Sequence, residues 1–469
     1  MTYAEVLRSV ADQHPLIGEA TANLAAAGGG LLESQSVFDP LWRTGSSWNS
    51  VATRQYSTYP FPFEATQRTW AAFTALEGAA PTGTTWSVGM GLDHVHVPSL
   101  AVDEITRKSL LVDVDDYGAA LQAGLTQELL RGATLAYNLQ SVRASRATVQ
   151  SAEHAAAAAR QAALAGAAQA YWLWVQSAGE AAIARTASEV ALQSLEIARG
   201  AALQGGVGAA YVARLEAAAA LRAGSLARAE VAAGQAEDQV RAWTGESPGT
   251  SWTAATPPGD GLASVLDPVA VVAAALAASP ELLAARADAE AARAAERATR
   301  ASRLPTLTAT ALAGVAGRDV DSVGGAAANL FQHGHQLPFA SVGGELVVPI
   351  GGRAGRGEQA RTQGELAAAD HRVTLLEREV GAATTSQVRA LAAAAVEIGA
   401  GDTQVRALGE ALAAEEASLA QGGSHPQFVL DQRQALVDAE VEALAARTRW
   451  RAALTELQRL QGALGTELP

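Results

Sequence analysis

The 469-residue sequence contains no cysteine. That excludes disulfides, thiolate metal sites and a lipid attached through an N-terminal cysteine. Lys108 is the one lysine among 34 basic residues, and this near-exclusive use of arginine is given no functional meaning. Aromatic residues make up only 5% of the chain, while alanine and glycine are abundant. Small side chains let helices approach closely but fill little core each, so long helices packed side by side are expected rather than a compact globule. No run of 18 apolar residues exists, so no transmembrane helix is expected. A formal net charge of −14 argues against nucleic acid as a partner. Met1-Thr-Tyr-Ala-Glu-Val6 lacks the basic and apolar regions of a signal peptide. The chain is therefore expected to be cytoplasmic or to have lost its signal, and the strands described below favour the second. There is no Walker loop, no His-Glu-x-x-His and no serine elbow, so neither an enzyme nor a cofactor is expected.

What the sequence does contain is organised by its last third. An alternating segment, Phe339–Ile350, leads into the Gly351-Gly352 turn. Residues 353–420 then have helix-forming composition and no proline. At ~1.5 Å per residue such a helix is about 100 Å long. The run breaks at Gln421-Gly-Gly-Ser-His-Pro426 and restarts over 427–464. A strand feeding a long helix that folds back predicts a rod attached to a sheet. The same plan occurs earlier. Tyr117–Leu130 alternates, a helical run covers 133–203, the break reads Gln204-Gly-Gly-Val-Gly208, and the restart begins Tyr211-Val-Ala-Arg-Leu-Glu216. Two repeats follow. Residues 1–246 hold a helix, strands over about 38–130 and a long helical hairpin over 133–245. Residues 247–264 form a Pro/Gly linker. Residues 265–469 hold a helix, strands over about 304–350 and a hairpin over 353–464.

Within the first repeat, residues 1–13 predict an amphipathic helix with Val6, Leu7 and Val10 on one side. Residues 69–77 and 85–93 predict strands about the turn Ala80-Pro-Thr-Gly-Thr84, and 94–116 predict a polar loop. In Tyr117–Leu130, Tyr117, Ala119, Leu121, Ala123 and Leu125 point one way, and small or polar residues the other. A membrane β-barrel strand has this pattern, and so does a strand of a soluble sandwich. In the second repeat, 318–338 predict a glycine-rich loop. Leu430, Val437, Val441 and Leu444 form a narrow stripe that predicts a coiled-coil seam.

Several segments carry a resemblance. Val37-Phe-Asp-Pro40 enters the first strand, Thr126-Gln-Glu-Leu-Leu-Arg-Gly132 and Val348-Pro-Ile-Gly-Gly352 leave the last strand of each repeat, and Ala170-Tyr-Trp-Leu-Trp174 is an aromatic step in the first long helix. With the two glycine-containing breaks, these make the chain similar to the outer membrane efflux protein family, the TolC-like channels of tripartite pumps and type I secretion. The resemblance implies an α+β membrane protein with two structural repeats. It implies a homotrimer with a transmembrane β-barrel in the outer membrane of a Gram-negative bacterium, continued by a long periplasmic α-helical coiled-coil barrel. The expected partners are the lipid bilayer, a periplasmic adaptor (membrane fusion) protein and an inner-membrane pump. The expected function is passive efflux, with type I secretion as the alternative inside the fold and a soluble coiled-coil scaffold or adaptor outside it. The family usually gives two strands per repeat. The longer first repeat here reads as four, hence six per subunit and eighteen per trimer, unless the extra hairpin caps the outside and twelve remain.

The resemblance also places a gate at the second break. Family members often carry two acidic residues there. Asp431 keeps one, and Phe428 stands at the other position. Either Phe428 forms an apolar plug above an Asp431 ring, or it packs in the hairpin seam as Tyr211 does in the first repeat. The family's arginine has no match, because Ser424 and His425 stand there, so a latch would draw on Arg214 or Arg433. Gly205, Gly206, Gly422 and Gly423, with Ser424, are expected to form the hairpin tips and the adaptor docking surface. His94 with His96, and His333 with His335, are alternate histidines in expected outer loops. Solvated histidines are the preferred reading, and no metal site is expected.

Overall fold

The computed structural model describes residues 1–55, 63–102, 109–247, 252–259, 266–421, 423–424 and 426–465. In chain order the elements are α1 (Tyr3–Gln13), α2 (Pro15–Gln35), β1 (Leu41–Gln55), β2 (Phe63–Ala80), β3 (Thr84–Val102), β4 (Ser109–Glu128), α3 (Leu135–Asn138), α4 (Gln140–Leu203) and α5 (Ala209–Thr244). Then follow α6 (Pro268–Ala278), α7 (Pro280–Thr299), β5 (Thr306–Asp319), α8 (Val323–Asn329), β6 (Leu337–Val347), α9 (Arg353–Ala420) and α10 (Pro426–Leu460). Among the described residues, no single helix is long and apolar enough to cross a membrane. The chain divides into a helical unit (1–27, 149–288 and 369–469) and a unit containing the sheet (28–148 and 289–368).

The sheet has six antiparallel strands in the order β1-β2-β3-β4-β5-β6. Each strand therefore pairs with its neighbour in sequence, and β1 and β6 are left as edges. The turn between β2 and β3 needs Gly83, whose φ is +76°. A Cβ there would lie 2.1 Å from the Gly132 carbonyl oxygen. The Glu128 N–H donates to the Gly83 carbonyl at 2.9 Å, and the Asn138 amide donates to the carbonyls of Pro81 (2.9 Å) and Gly132 (2.7 Å). This turn is thereby tied to the exit of β4. The strands run further than their polarity suggests. Residues 94–102 and 109–116, expected as loop, continue the β3–β4 ladder as far as Val102 opposite Ser109. The expected loop over 318–338 contains α8, which Ser322 caps by accepting from the Gly325 N–H at 3.0 Å.

The helical unit is built on alanine and glycine. The capping box of Thr2 and Glu5 starts α1, which buries Val6, Leu7 and Val10. They join a core formed by Leu164, Ala167, Ala168, Tyr171, Trp172 and Trp174 of α4 and Val240 of α5. The Tyr171 hydroxyl accepts from the Thr256 N–H at 3.1 Å, and the Tyr3 N–H donates to the Thr256 hydroxyl at 3.1 Å. The described part of the linker is thus packed onto the helices. Close approach depends on missing side chains. A Cβ on Gly179 would meet Leu444 at 2.5 Å, and one on Gly166 would meet Trp243 at 2.4 Å. The seam of α10 differs from the expected stripe. Ala439, Ala443, Ala446, Ala453 and Leu457 are buried, whereas Leu430, Val437, Val441 and Leu444 are half-buried beside them. The smallest side chains permit the closest backbone approach, so the larger ones are displaced to its flanks.

Candidate functional site

The two faces of the sheet differ in chemistry. Register places Trp42, Leu76, Val88, Ala123, Ala313 and Ala340 in one cross-strand row, and Trp86, Leu125, Ala311 and Val342 in the next. Further along the same face, Trp48 lies opposite Trp70, Trp70 opposite His94, and His94 opposite Tyr117. Trp42 is 75% exposed, Trp48 68% and Val342 87%, so the apolar face is uncovered in the single chain along the two edge strands. The opposite face carries ion pairs. Arg43 meets Glu77 at 3.5 Å, and Arg318 bridges Asp93 (2.8 Å) and Asp116 (3.0 Å) across β3, β4 and β5. Gly118 leaves the room for that bridge, because a Cβ there would lie 2.2 Å from the Asp93 carboxylate. One face thus carries tryptophans and aliphatics, and the other carries charges and glycines.

In the helical unit the ends of the two hairpins form a second site. Gly205 turns α4 into α5 with φ +76° and nothing within 4 Å of a Cβ. Gly206 has ordinary φ and lies against the Ala201 carbonyl. Gly422 lies outside the described residues. Gly423 closes the end of α9 by donating to the Ser418 carbonyl at 2.9 Å, and the Ser424 hydroxyl bonds to Glu415. Tyr211 packs with Val212 and Leu430 against Leu195, Ala198, Leu215 and Ala219. Burial pushes the Tyr211 phenol up, and the Arg433 charge pulls it the other way. Phe428 instead is 59% exposed. The two residues, read together from the sequence as aromatic restarts, therefore have different surroundings.

Between the hairpins lies a groove of about 650 Å³, lined by α4, α5, α9 and α10. Arg214, Asp431 and Arg433 all line it. Arg433 joins the hairpins. Its guanidinium donates to the Glu416 carboxylate at 2.7 and 3.1 Å and to the Ser194 hydroxyl at 2.9 Å. Asp431 accepts from the Gln427 amide at 2.9 Å. Arg222 bonds to Gln434 across the same gap. Glu416, Ser194, Arg222 and Gln434 carry no motif, and only the packing of four helices reveals them.

One of the two histidine pairs is arranged otherwise than expected. His94 and His96 belong to strand β3, not to a loop, and share Oδ1 of Asp115 at 2.8 and 3.0 Å. His94 stacks on Tyr117 with centroids 4.3 Å apart. His333 and His335 lie in the connection between α8 and β6. Among the described residues, no group of three or more histidine, aspartate or glutamate side chains is arranged to hold a metal ion.

Residues 271–463 match the outer membrane efflux protein family. No curated protein sequence matches the chain. Among solved structures, the outer membrane protein VceC from Vibrio cholerae is 15% identical, with a TM-score of 0.66, over 98% of this chain and 96% of that one. The MtrE outer membrane channel of Neisseria gonorrhoeae, in its open state, is 17% identical, with a TM-score of 0.64, over 100% and 90%. The CmeC outer membrane channel of Campylobacter jejuni is 14% identical, with a TM-score of 0.64, over 98% and 85%.

Proposed function

We propose that this chain, which has the TolC-like fold throughout and matches the outer membrane efflux protein family over its second repeat, is the outer-membrane channel of a tripartite efflux system. The observation that carries the reading is the two-faced sheet. Where the ladders overlap, β2 to β5 are paired on both sides, whereas β1 and β6 each leave one edge unpaired, and unpaired strand edges are not tolerated in hydrocarbon. Joining β6 of one copy to β1 of the next removes them.

In this reading three copies close the barrel, giving eighteen strands. At ~4.8 Å between strands and a tilt of about 40°, such a barrel is about 36 Å across, against about 24 Å for twelve strands. The apolar face meets lipid. Arg43, Glu77, Asp93, Asp116 and Arg318 face the lumen. The helical unit occupies the periplasm, where a periplasmic adaptor docks at the hairpin tips about Gly205, Gly206, Gly422, Gly423 and Ser424, and an inner-membrane pump supplies the energy. Arg433 holds the groove closed through Glu416 and Ser194, with Arg214 beside it. Asp431 supplies a carboxylate ring that favours cations, and Phe428 an apolar constriction. Solute passes without covalent chemistry.

Single-channel recording in planar bilayers tests this. Purified oligomer is expected to give small cation-selective steps, enlarged in the double variant Asp431→Ala, Phe428→Ala. Folded oligomer that never conducts overturns the reading.

A further inference from the structure

The loop between β5 and β6 is built, and it folds onto a definite face. Ala326 and Leu330 are buried against Leu92, Ala119, Tyr117 and Val315. By register those residues lie on the tryptophan face, opposite the Asp93–Arg318–Asp116 bridge. The backbone of α8 rests directly on β5 at Gly317. A Cβ at that position would lie 2.2 Å from the Ala326 carbonyl oxygen and 2.8 Å from the Leu330 nitrogen. The approach is fixed at both ends. The Asp319 carboxylate accepts from the N–H groups of Val320 (3.0 Å) and Ser322 (3.2 Å), and the Asn329 amide donates to the Arg318 carbonyl at 2.9 Å.

Two large apolar side chains flank this seat without joining it. Phe331 is 75% exposed and Val320 67%. Their level on the sheet is set by register, since Asp319 lies opposite Tyr117, in line with His94, Trp70 and Trp48. That row is the aromatic belt at one rim of the apolar face, the position tryptophan and tyrosine take at a membrane–water interface. We propose that the β5–β6 loop is a membrane foot: α8 lies on the outer wall of the barrel, and Phe331 and Val320 enter the headgroup–acyl boundary of the lipid. The proposal rests on the channel reading above. It also means that this loop thickens the outer wall and stays out of the lumen.

The test exploits the absence of cysteine. Phe331→Cys and, separately, Val320→Cys are labelled with an environment-sensitive nitrobenzoxadiazole probe and reconstituted into vesicles containing lipids with a nitroxide near the headgroup. Val88→Cys, on the same face amid the strands, reports insertion of the barrel itself. The proposal expects all three labels to be quenched by nitroxide lipid and protected from aqueous iodide. Adding Gly317→Val, which removes the seat of α8, should expose the 331 label to iodide and leave the 88 label quenched. If Val88 is quenched while 331 and 320 respond to iodide, the loop stands in water and the proposal is overturned. If 331 and 320 are shielded from both quenchers, a neighbouring copy covers the loop, and the proposal is likewise overturned. An unquenched Val88 defeats the channel reading, and the foot with it.

Discussion

Tyr171 shows how a single side chain fixes the helical unit. It is fully buried, and its hydroxyl satisfies the Thr256 N–H in the linker. Tyr171→Phe leaves that N–H without its partner. The expected cost is ~1–3 kcal/mol, read as a lower apparent midpoint of thermal unfolding with the fold unchanged. Arg433 shows the same logic applied to movement. Its side chain is 31% exposed and that of Glu416 43%, so the pair is worth ~0.5–1 kcal/mol. Arg433→Ala is therefore expected to raise the open fraction of the gate by about two- to fivefold, measured as open probability in planar bilayers. An unchanged open probability would place the latch elsewhere. The candidates Arg214 and Arg433 came from the family resemblance, whose arginine is replaced in this break by Ser424 and His425. The partners Glu416 and Ser194 were not read from the sequence, because contacts from α10 to α9 and to α4 have no spacing to read. The aromatic step Ala170–Trp174 was legible as a feature, but its burial against α1 was not.

At the scale of elements, two glycines with similar dihedrals make opposite predictions. Gly205 and Gly83 both have φ of +76°. Gly205 has open space around it, so Gly205→Ala meets only the left-handed backbone penalty of ~1–2 kcal/mol. Gly83 faces the Gly132 carbonyl at 2.1 Å, so Gly83→Ala must also break the turn. Heat-modifiable migration of the assembled oligomer on gels is expected to survive Gly205→Ala and to be lost in Gly83→Ala. The long helices were legible from composition and from the absence of proline, and α9 covers Arg353–Ala420 as read. The strands were read too short, since His94, His96, Asp113 and Asp115 are polar and polarity was taken for loop. Backbone pairing continues there because β3 and β4 support each other beyond the apolar band. α8 escaped notice because Val323-Gly-Gly-Ala-Ala-Ala-Asn329 has poor helix propensity. Packing on Gly317 stabilises it, and packing is not written in a seven-residue window.

For the whole molecule, the described residues form six strands in one sheet, and a single six-stranded sheet is too narrow to enclose a lumen. The central claim is that copies close the barrel edge to edge, β1 against β6. Both edges lie on strands whose apolar face is exposed in the single chain, with Trp42 and Trp48 on one and Val342 and Leu346 on the other. The most direct measurement pairs Val342→Cys with a cysteine placed in turn at Trp42, Thr44, Ser46 or Trp48, oxidised in outer membranes. All these positions share one face, and the sequence has no other cysteine. The account predicts that one or two adjacent registers give an intermolecular ladder that stops at three chains. No cross-link in any register, or a ladder that stops at two, contradicts it.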